Sequence, residues 1–208
     1  MGGVGYERDG RVAVITYDRP EALNAIDGEM RDGLNAAFAR FRDDEDAWVG
    51  IVTGAGRAFC AGADVADPAA AAGTFAGTFW ERPTVNSFES GWEIFKPVIA
   101  AVHGYCLGYG LTMVTWCDFV VAADDAEFGF PEVRLGLPTI VGALRLPERI
   151  GWGHAMELLL TGERIDAARA REIGLAQVVV PARELMAEAR RLADRLLAAA
   201  PLAARATK

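Results

Sequence analysis

Apolar positions along the chain change their spacing several times, and each change marks an element. Glu7-Arg8-Asp9-Gly10 holds a hairpin turn signal, and Val12, Val14 and Ile15 follow as a strand-like run that Asp18-Arg19-Pro20 ends. Asp27 has the character of a helix cap, because Met30, Leu34, Phe38 and Phe41 follow at helical spacing. Asp43, Asp44, Glu45 and Asp46 read as a solvated helix exit. Gly50 to Thr53 is a buried strand that runs into a glycine-rich loop, Gly54 to Gly62. From Val65 to Phe95 the pattern is mixed, and an irregular, partly helical excursion is expected. Pro97 to Val102 is the next strand, followed by a loop at Gly104, a helix from about Gly108 to Trp116 and a strand from Phe119 to Ala122. Helical spacing dominates after Pro138, over Ile140–Ile150, Ala155–Leu160 and Asp166–Ile173, with Gly174 as a stop. Gln177 to Val180 is a short strand, and Pro181 opens a last Ala/Leu/Arg helix. Strands and helices alternate, so the fold class is α/β. Residues 1–180 form the expected core, and 181–208 begin a C-terminal helical region.

Composition narrows the partners. Of the 208 residues 52% are hydrophobic, enough to bury a sizeable core. The net charge of -8 argues against nucleic acid, whose binding needs a basic face. Cys60, Cys106 and Cys117 are odd in number and sit in or beside apolar runs, which favours buried free thiols over a disulfide. Met1 to Gly10 lacks the layout of a signal peptide, and no apolar run could span a bilayer, so a cytoplasmic protein without membrane contact is expected.

Several common chemistries drop out. Ser87 and Ser90 are the only serines, and neither stands in a Gly-x-Ser-x-Gly elbow. His103, His154 and the three scattered cysteines supply no metal-ligand pair, so no metal is expected. Gly54-Ala55-Gly56 and Gly108-Tyr109-Gly110 each lack the third glycine of a dinucleotide loop. Lys96 and Lys208 are the only lysines, and neither belongs to a phosphate loop.

Four segments remain: Arg19 to Ala25 (RPEALNA), Gly54 to Asp64 (GAGRAFCAGAD), Ala101 to Gly110 (AVHGYCLGYG) leading to Cys117-Asp118, and Phe128 to Glu132 (FGFPE) ending in Gly136-Leu137. A looser fifth is Leu160 to Glu163, then Ala167, Ala170 and Gly174 to Ala176. In order and spacing this set resembles the enoyl-CoA hydratase/isomerase (crotonase) family, over about nine tenths of the chain. The resemblance implies a spiral of repeated β-β-α units with C-terminal helices. It also implies an acyl- or enoyl-CoA substrate, fatty acid metabolism as the setting, and no cofactor beyond the coenzyme A of the substrate itself. By the same likeness the backbone amides of Ala63 and Tyr109 form an oxyanion hole, which suits a new enolate oxygen. Ala22, Leu23, Ala61, Asp64 and Val65 line the coenzyme A, and Arg19 is a candidate for a phosphate. Glu132 is the catalytic acid/base. Its Phe- and Leu-rich surroundings should raise its pKa.

The sequence also departs from the family pattern. Where family hydratases carry a second glutamate, Thr112 stands, and a hydroxyl is no general base at neutral pH. One carboxylate suffices to move a proton between carbons, as family isomerases do. Some hydratase-lyases of aryl-propenoyl thioesters also resemble this pattern. Tyr109 occupies a position that is often glycine, and its ring is expected to narrow the acyl pocket together with Phe79, Trp80 or Trp92. Pro138-Thr139 replaces a common Pro-Gly pair. His103 is expected to make a structural hydrogen bond, and His154 to be a surface or helix-capping residue. The family likeness and the apolar face Leu158-Leu159-Leu160 suggest a homotrimer or hexamer. Relatives usually continue past the equivalent of Pro201, so the end at Lys208 implies a naturally short chain or part of a longer one. A non-catalytic coenzyme-A-binding or scaffold relative is the alternative, favoured by Thr112 and Tyr109 and opposed by Glu132 and the intact Ala61-Gly62-Ala63-Asp64 loop. An RNA-binding relative is opposed by the acidity.

Overall fold

The computed structural model describes residues 3–64, 66–67 and 93–208. The hairpin read around Gly10 is present: β1 (Val4–Asp9) pairs antiparallel with β2 (Val12–Tyr17). Helix α1 (Gly28–Asp43) then crosses over to β3 (Val49–Gly54), which lies parallel to β2. Asp27 caps α1 as its spacing suggested, with Oδ1 accepting from the Met30 amide at 2.8 Å. The apolar stripe Met30, Leu34, Phe38 and Phe41 is buried.

From Glu93 the described chain repeats a two-strand unit. β4 (Val98–Val102) joins the large sheet and β5 (Tyr105–Leu107) a small one, and helix α2 (Tyr109–Thr115) follows. β6 (Phe119–Ala123) and β7 (Glu127–Gly129) divide between the two sheets in the same way. Helices α3 (Val141–Ile150) and α4 (Trp152–Thr161) come next. Then β8 (Arg164–Asp166), α5 (Ala167–Glu172) and β9 (Val178–Val180) complete the sheets. Helices α6 (Leu185–Leu197) and α7 (Pro201–Thr207) close the chain. Among the described residues the large sheet has the order β1-β2-β3-β4-β6-β9 and the small one β5-β7-β8. This is the spiral of β-β-α units that the sequence implied.

β3, β4 and β6 are buried on both faces, which explains their continuous apolar runs. Tyr17, Phe38, Phe59, Phe128 and Phe130 lie in the main core cluster. The other cluster joins Val14, Ile51, Ile99 and Val121 to Leu185, Ala189 and Leu192 of α6. Cys60, Cys106 and Cys117 are buried free thiols, and burial pushes Cys60 and Cys117 up to about 12.

Three strands escaped the sequence pattern. β5, β7 and β8 have three residues each, too few to show a period, and their pairing comes from distant segments. The apolar face read at Leu158-Leu159-Leu160 also needs correction. Leu158 and Leu159 enter the main core, whereas Leu160 is exposed, because successive helical residues point about 100° apart.

Candidate active site

The first two sequence motifs are fastened to each other by a buried asparagine. After the single turn Pro20–Ala22 the backbone passes through the left-handed region at Leu23 (φ 52°) and Asn24 (φ 57°). Asparagine tolerates this conformation better than most residues. Asn24 is fully buried; its Oδ1 accepts from the Arg19 amide at 2.8 Å. Its Nδ2 donates to the carbonyls of Ala55 (2.9 Å) and Ala58 (2.7 Å). The Ala61 amide donates to the Leu23 carbonyl at 3.0 Å, so Leu23 and Ala61 are neighbours, with Ala22 in the preceding turn. Sequence reading quoted Asn24 within a motif but gave it no role. An asparagine just after a turn and before a helix cap was the available signal.

Arg19 does not stand as an isolated surface cation. Its Nη1 lies 2.7 Å from Asp64 Oδ2 and 3.1 Å from Asp27 Oδ2. This pairing holds the Asp64 carboxyl below its usual range, with a further hydrogen bond from the Ala66 amide. Val65 lies outside the described residues, as do Phe79, Trp80 and Trp92.

The two glycine-rich loops meet edge to edge. The Cys60 amide donates to Tyr105 O and the Leu107 amide to Cys60 O, both at 2.9 Å. Gly62 has φ +111°, and a Cβ there would fall 3.2 Å from Leu107 O and 3.8 Å from the Tyr109 nitrogen. Gly108, the cap of α2, has φ +52°, and a Cβ there would lie 3.8 Å from Gly62 Cα and 2.9 Å from Glu132 Oε1. Only glycine combines this conformation with this approach. Ile26 donates to Gly62 O at 2.8 Å and accepts from the Asp64 amide at 2.9 Å. In a parallel bridge that pattern turns the Ala63 N–H away from Ile26. Tyr109 is the first residue of α2, whose first intrahelical bond is Thr112 N–H to Gly108 O at 2.9 Å.

Glu132 stands in the turn Pro131–Leu135 and reaches back to Gly108. Its Oε2 is buried without a hydrogen-bond partner. Burial raises its pKa, against smaller opposing effects of its own amide and the Thr139 hydroxyl. Thr112 is 5% exposed, one turn into α2. Its Oγ1 lies 2.8 Å from where a Cβ on Gly142 would stand, and the Phe130 ring is 2.6 Å from the same point. The Tyr109 ring packs partly buried against the main core, with the Arg31 guanidinium 5.6 Å above it. Glu132, Gly62, and Gly108 with the Tyr109 amide are therefore brought together from three separate segments. His103 makes a structural bond, Nε2 to Gly56 O at 3.1 Å. His154 is exposed beside Arg169 and Glu157. Among the described residues no group of three or more His, Cys, Asp or Glu could hold a metal, and no helix is long and apolar enough to cross a membrane.

The profile of the enoyl-CoA hydratase/isomerase family matches residues 7–208. The chain belongs to the enoyl-CoA hydratase/isomerase family. It is 42% identical over 207 residues to a probable enoyl-CoA hydratase of Mycobacterium tuberculosis, covering 97% of this chain and 78% of that one. It is 43% identical over 208 residues to a carnitinyl-CoA dehydratase of Proteus mirabilis, covering 96% and 76%. A crystal structure of a probable enoyl-CoA hydratase/isomerase from Mycobacterium abscessus superposes with a TM-score of 0.89 at 33% identity, covering 99% of this chain and 80% of that one. Family membership fits the two-loop geometry, and the hydratase and dehydratase names leave the reaction direction open.

Proposed function

We propose that this chain acts on an acyl- or enoyl-CoA thioester through an enolate, with Glu132 as the single acid/base. The observation that carries this reading is Glu132 itself: its carboxylate abuts Gly108 with Oε2 buried and unpartnered. A half-buried carboxyl with a raised pKa is a stronger base than a free one and suits proton exchange with carbon. In the proposed step Glu132 removes a proton from a carbon of the acyl chain, and the electron pair passes to the thioester oxygen. The amides of Ala63 and Tyr109 donate to that oxygen. Glu132 then returns the proton to another carbon of the same acyl chain. Ala22, Leu23, Ala61, Asp64 and Val65 are the proposed coenzyme A contacts, with no further cofactor and no metal.

Thr112 favours an isomerase or an aryl-propenoyl-CoA hydratase-lyase over two-glutamate hydration, because its hydroxyl can hold a water or substrate oxygen but cannot act as a base. A homotrimer or hexamer in the cytoplasm is the proposed setting, resting on family likeness alone. The test is turnover of enoyl-, 3-hydroxyacyl- and aryl-propenoyl-CoA thioesters by the parent and Glu132→Gln. Loss of turnover by about 1,000-fold or more with retained coenzyme A affinity is the expected outcome. Full activity of Glu132→Gln on every thioester would end the mechanism. Binding without turnover by the parent would favour the non-catalytic alternative.

A further inference from the structure

At the end of α2 opposite Gly108 one side chain from another helix gathers several carbonyls. Arg149, in the last turn of α3, donates from Nη1 to Val114 O (3.2 Å), Thr115 O (3.3 Å) and Cys117 O, and from Nη2 to Asp118 O (3.3 Å). Its Nε is buried without a hydrogen-bond partner, and burial pushes the guanidinium pKa down. One turn earlier, Arg145 lies 3.9 Å over the Trp116 ring. The other end of α3 reaches the candidate site, where Gly142 is seated against Thr112 Oγ1 and the Phe130 ring. Helix α3 therefore contacts α2 at its C-terminal end and at its middle turn.

A helix C-terminus is ordinarily satisfied by water or a left-handed glycine. Burying a cation against carbonyls instead carries a desolvation cost. What the guanidinium offers in exchange is a planar fork with fixed donor directions. It also complements the negative end of the α2 dipole. α2 has seven residues, a stiff rod about 10 Å long, so a shift at its C-terminal end carries the Tyr109 amide with it. Oxyanion stabilisation and proton transfer both lose force over displacements of about 1 Å.

We infer that Arg149 is a positioning residue, setting the Tyr109 amide against Ala63 and Glu132 by fixing α2 along its axis. The inference rests on the proposed oxyanion role of Tyr109. Arg149→Met and Arg149→Lys are compared with the parent by turnover of a short-chain enoyl-CoA, by affinity for free coenzyme A, and by the absorbance of a bound aryl-propenoyl-CoA. The conjugated chromophore of that ligand shifts to longer wavelength when its thioester carbonyl is polarised. Arg149→Met should lower kcat about 10- to 100-fold, leave KM within about threefold and the coenzyme A affinity within about twofold, and shrink the red shift. Arg149→Lys should recover part of both kcat and the red shift, since an ammonium supplies donors without the fork. A folded Arg149→Met with parental kcat and an intact red shift would overturn the inference. So would a loss that appears wholly as coenzyme A affinity. If Arg149→Met does not fold, Arg149→Lys decides alone: parental kcat and red shift overturn the inference, and a matched loss of both at unchanged KM supports it. A parent with neither turnover nor red shift on any thioester refutes the site reading and this inference with it. Both present in the parent and unchanged in the variants refutes this inference only.

Discussion

Asn24 and Glu132 are both drawn inward, yet their surroundings differ. Asn24 is fully buried, and its side chain makes three hydrogen bonds, to Arg19, Ala55 and Ala58. Around it, Arg19 bridges two carboxylates and the loop strands exchange backbone bonds. Glu132 keeps one buried oxygen without a partner, on a turn whose neighbours Val133, Leu135 and Leu137 are exposed. Fixed loops suit the proposed oxyanion role, because backbone donors act only where they are aimed. For the proposed acid/base role of Glu132 an unsatisfied oxygen is an advantage, because a fully satisfied carboxylate would be a poor proton acceptor. One region gains stability from its polar groups; the other gives some up.

The largest test of that contrast strikes where the regions touch. Gly108→Ala would place a methyl 2.9 Å from Glu132 Oε1 in a left-handed conformation, so kcat should fall about 100-fold or more. Steady-state kinetics with a melting curve check this, and parental kcat in the variant would dissolve the contact between loop and carboxylate. Ala63→Pro should cost about 100-fold by deleting one proposed donor. A folded Ala63→Pro variant with normal turnover refutes that assignment.

Asn24→Ala acts on the rigid side. It leaves a buried carbonyl, and a half-buried carbonyl and amide, without their side-chain partner, which should destabilise the protein by about 2–4 kcal/mol in denaturant titration. A loss under about 0.5 kcal/mol would mean that the loops do not depend on it.

Glu132→Gln acts on the reactive side with the opposite sign. A carboxyl whose folded pKa is raised contributes stability below its unfolded value near 4.5, and that contribution is lost as pH rises through the folded value. Glu132→Gln should therefore melt higher than the parent at pH 7 to 8, with the gap closing towards pH 4. Asp64 runs the other way: its lowered pKa contributes stability above the unfolded value near 3.8 that is lost as pH falls through the folded value. Removing Arg19 should blunt that acid limb. The smallest effect expected is Thr112→Ala, within about threefold on isomerisation and larger on hydration, where a water loses its hydroxyl partner. Equal losses in both reactions would give Thr112 a different part.

Most of the main elements were legible along the chain. The α1 stripe, the apolar runs of β3, β4 and β6, and the Asp27 cap are local patterns whose spacing matches the helix or strand period. The motifs also announced the family, since their glycines and Glu132 are read one position at a time, and so is the departure at Thr112. Other features have no local signature. β5, β7 and β8 exist only because they pair with each other. Leu158 and Leu159 were divided from Leu160 by the rotation of α4 in its packing. Arg19 found two carboxylates, and Asn24 found two carbonyls, on segments up to 45 residues away. The meeting of Gly62, Gly108 and Glu132, and the grip of Arg149 on the far end of α2, depend on how sheets and helices stack. Local spacing specifies what each segment can become, whereas partners brought together by burial are chosen only once the whole core is packed.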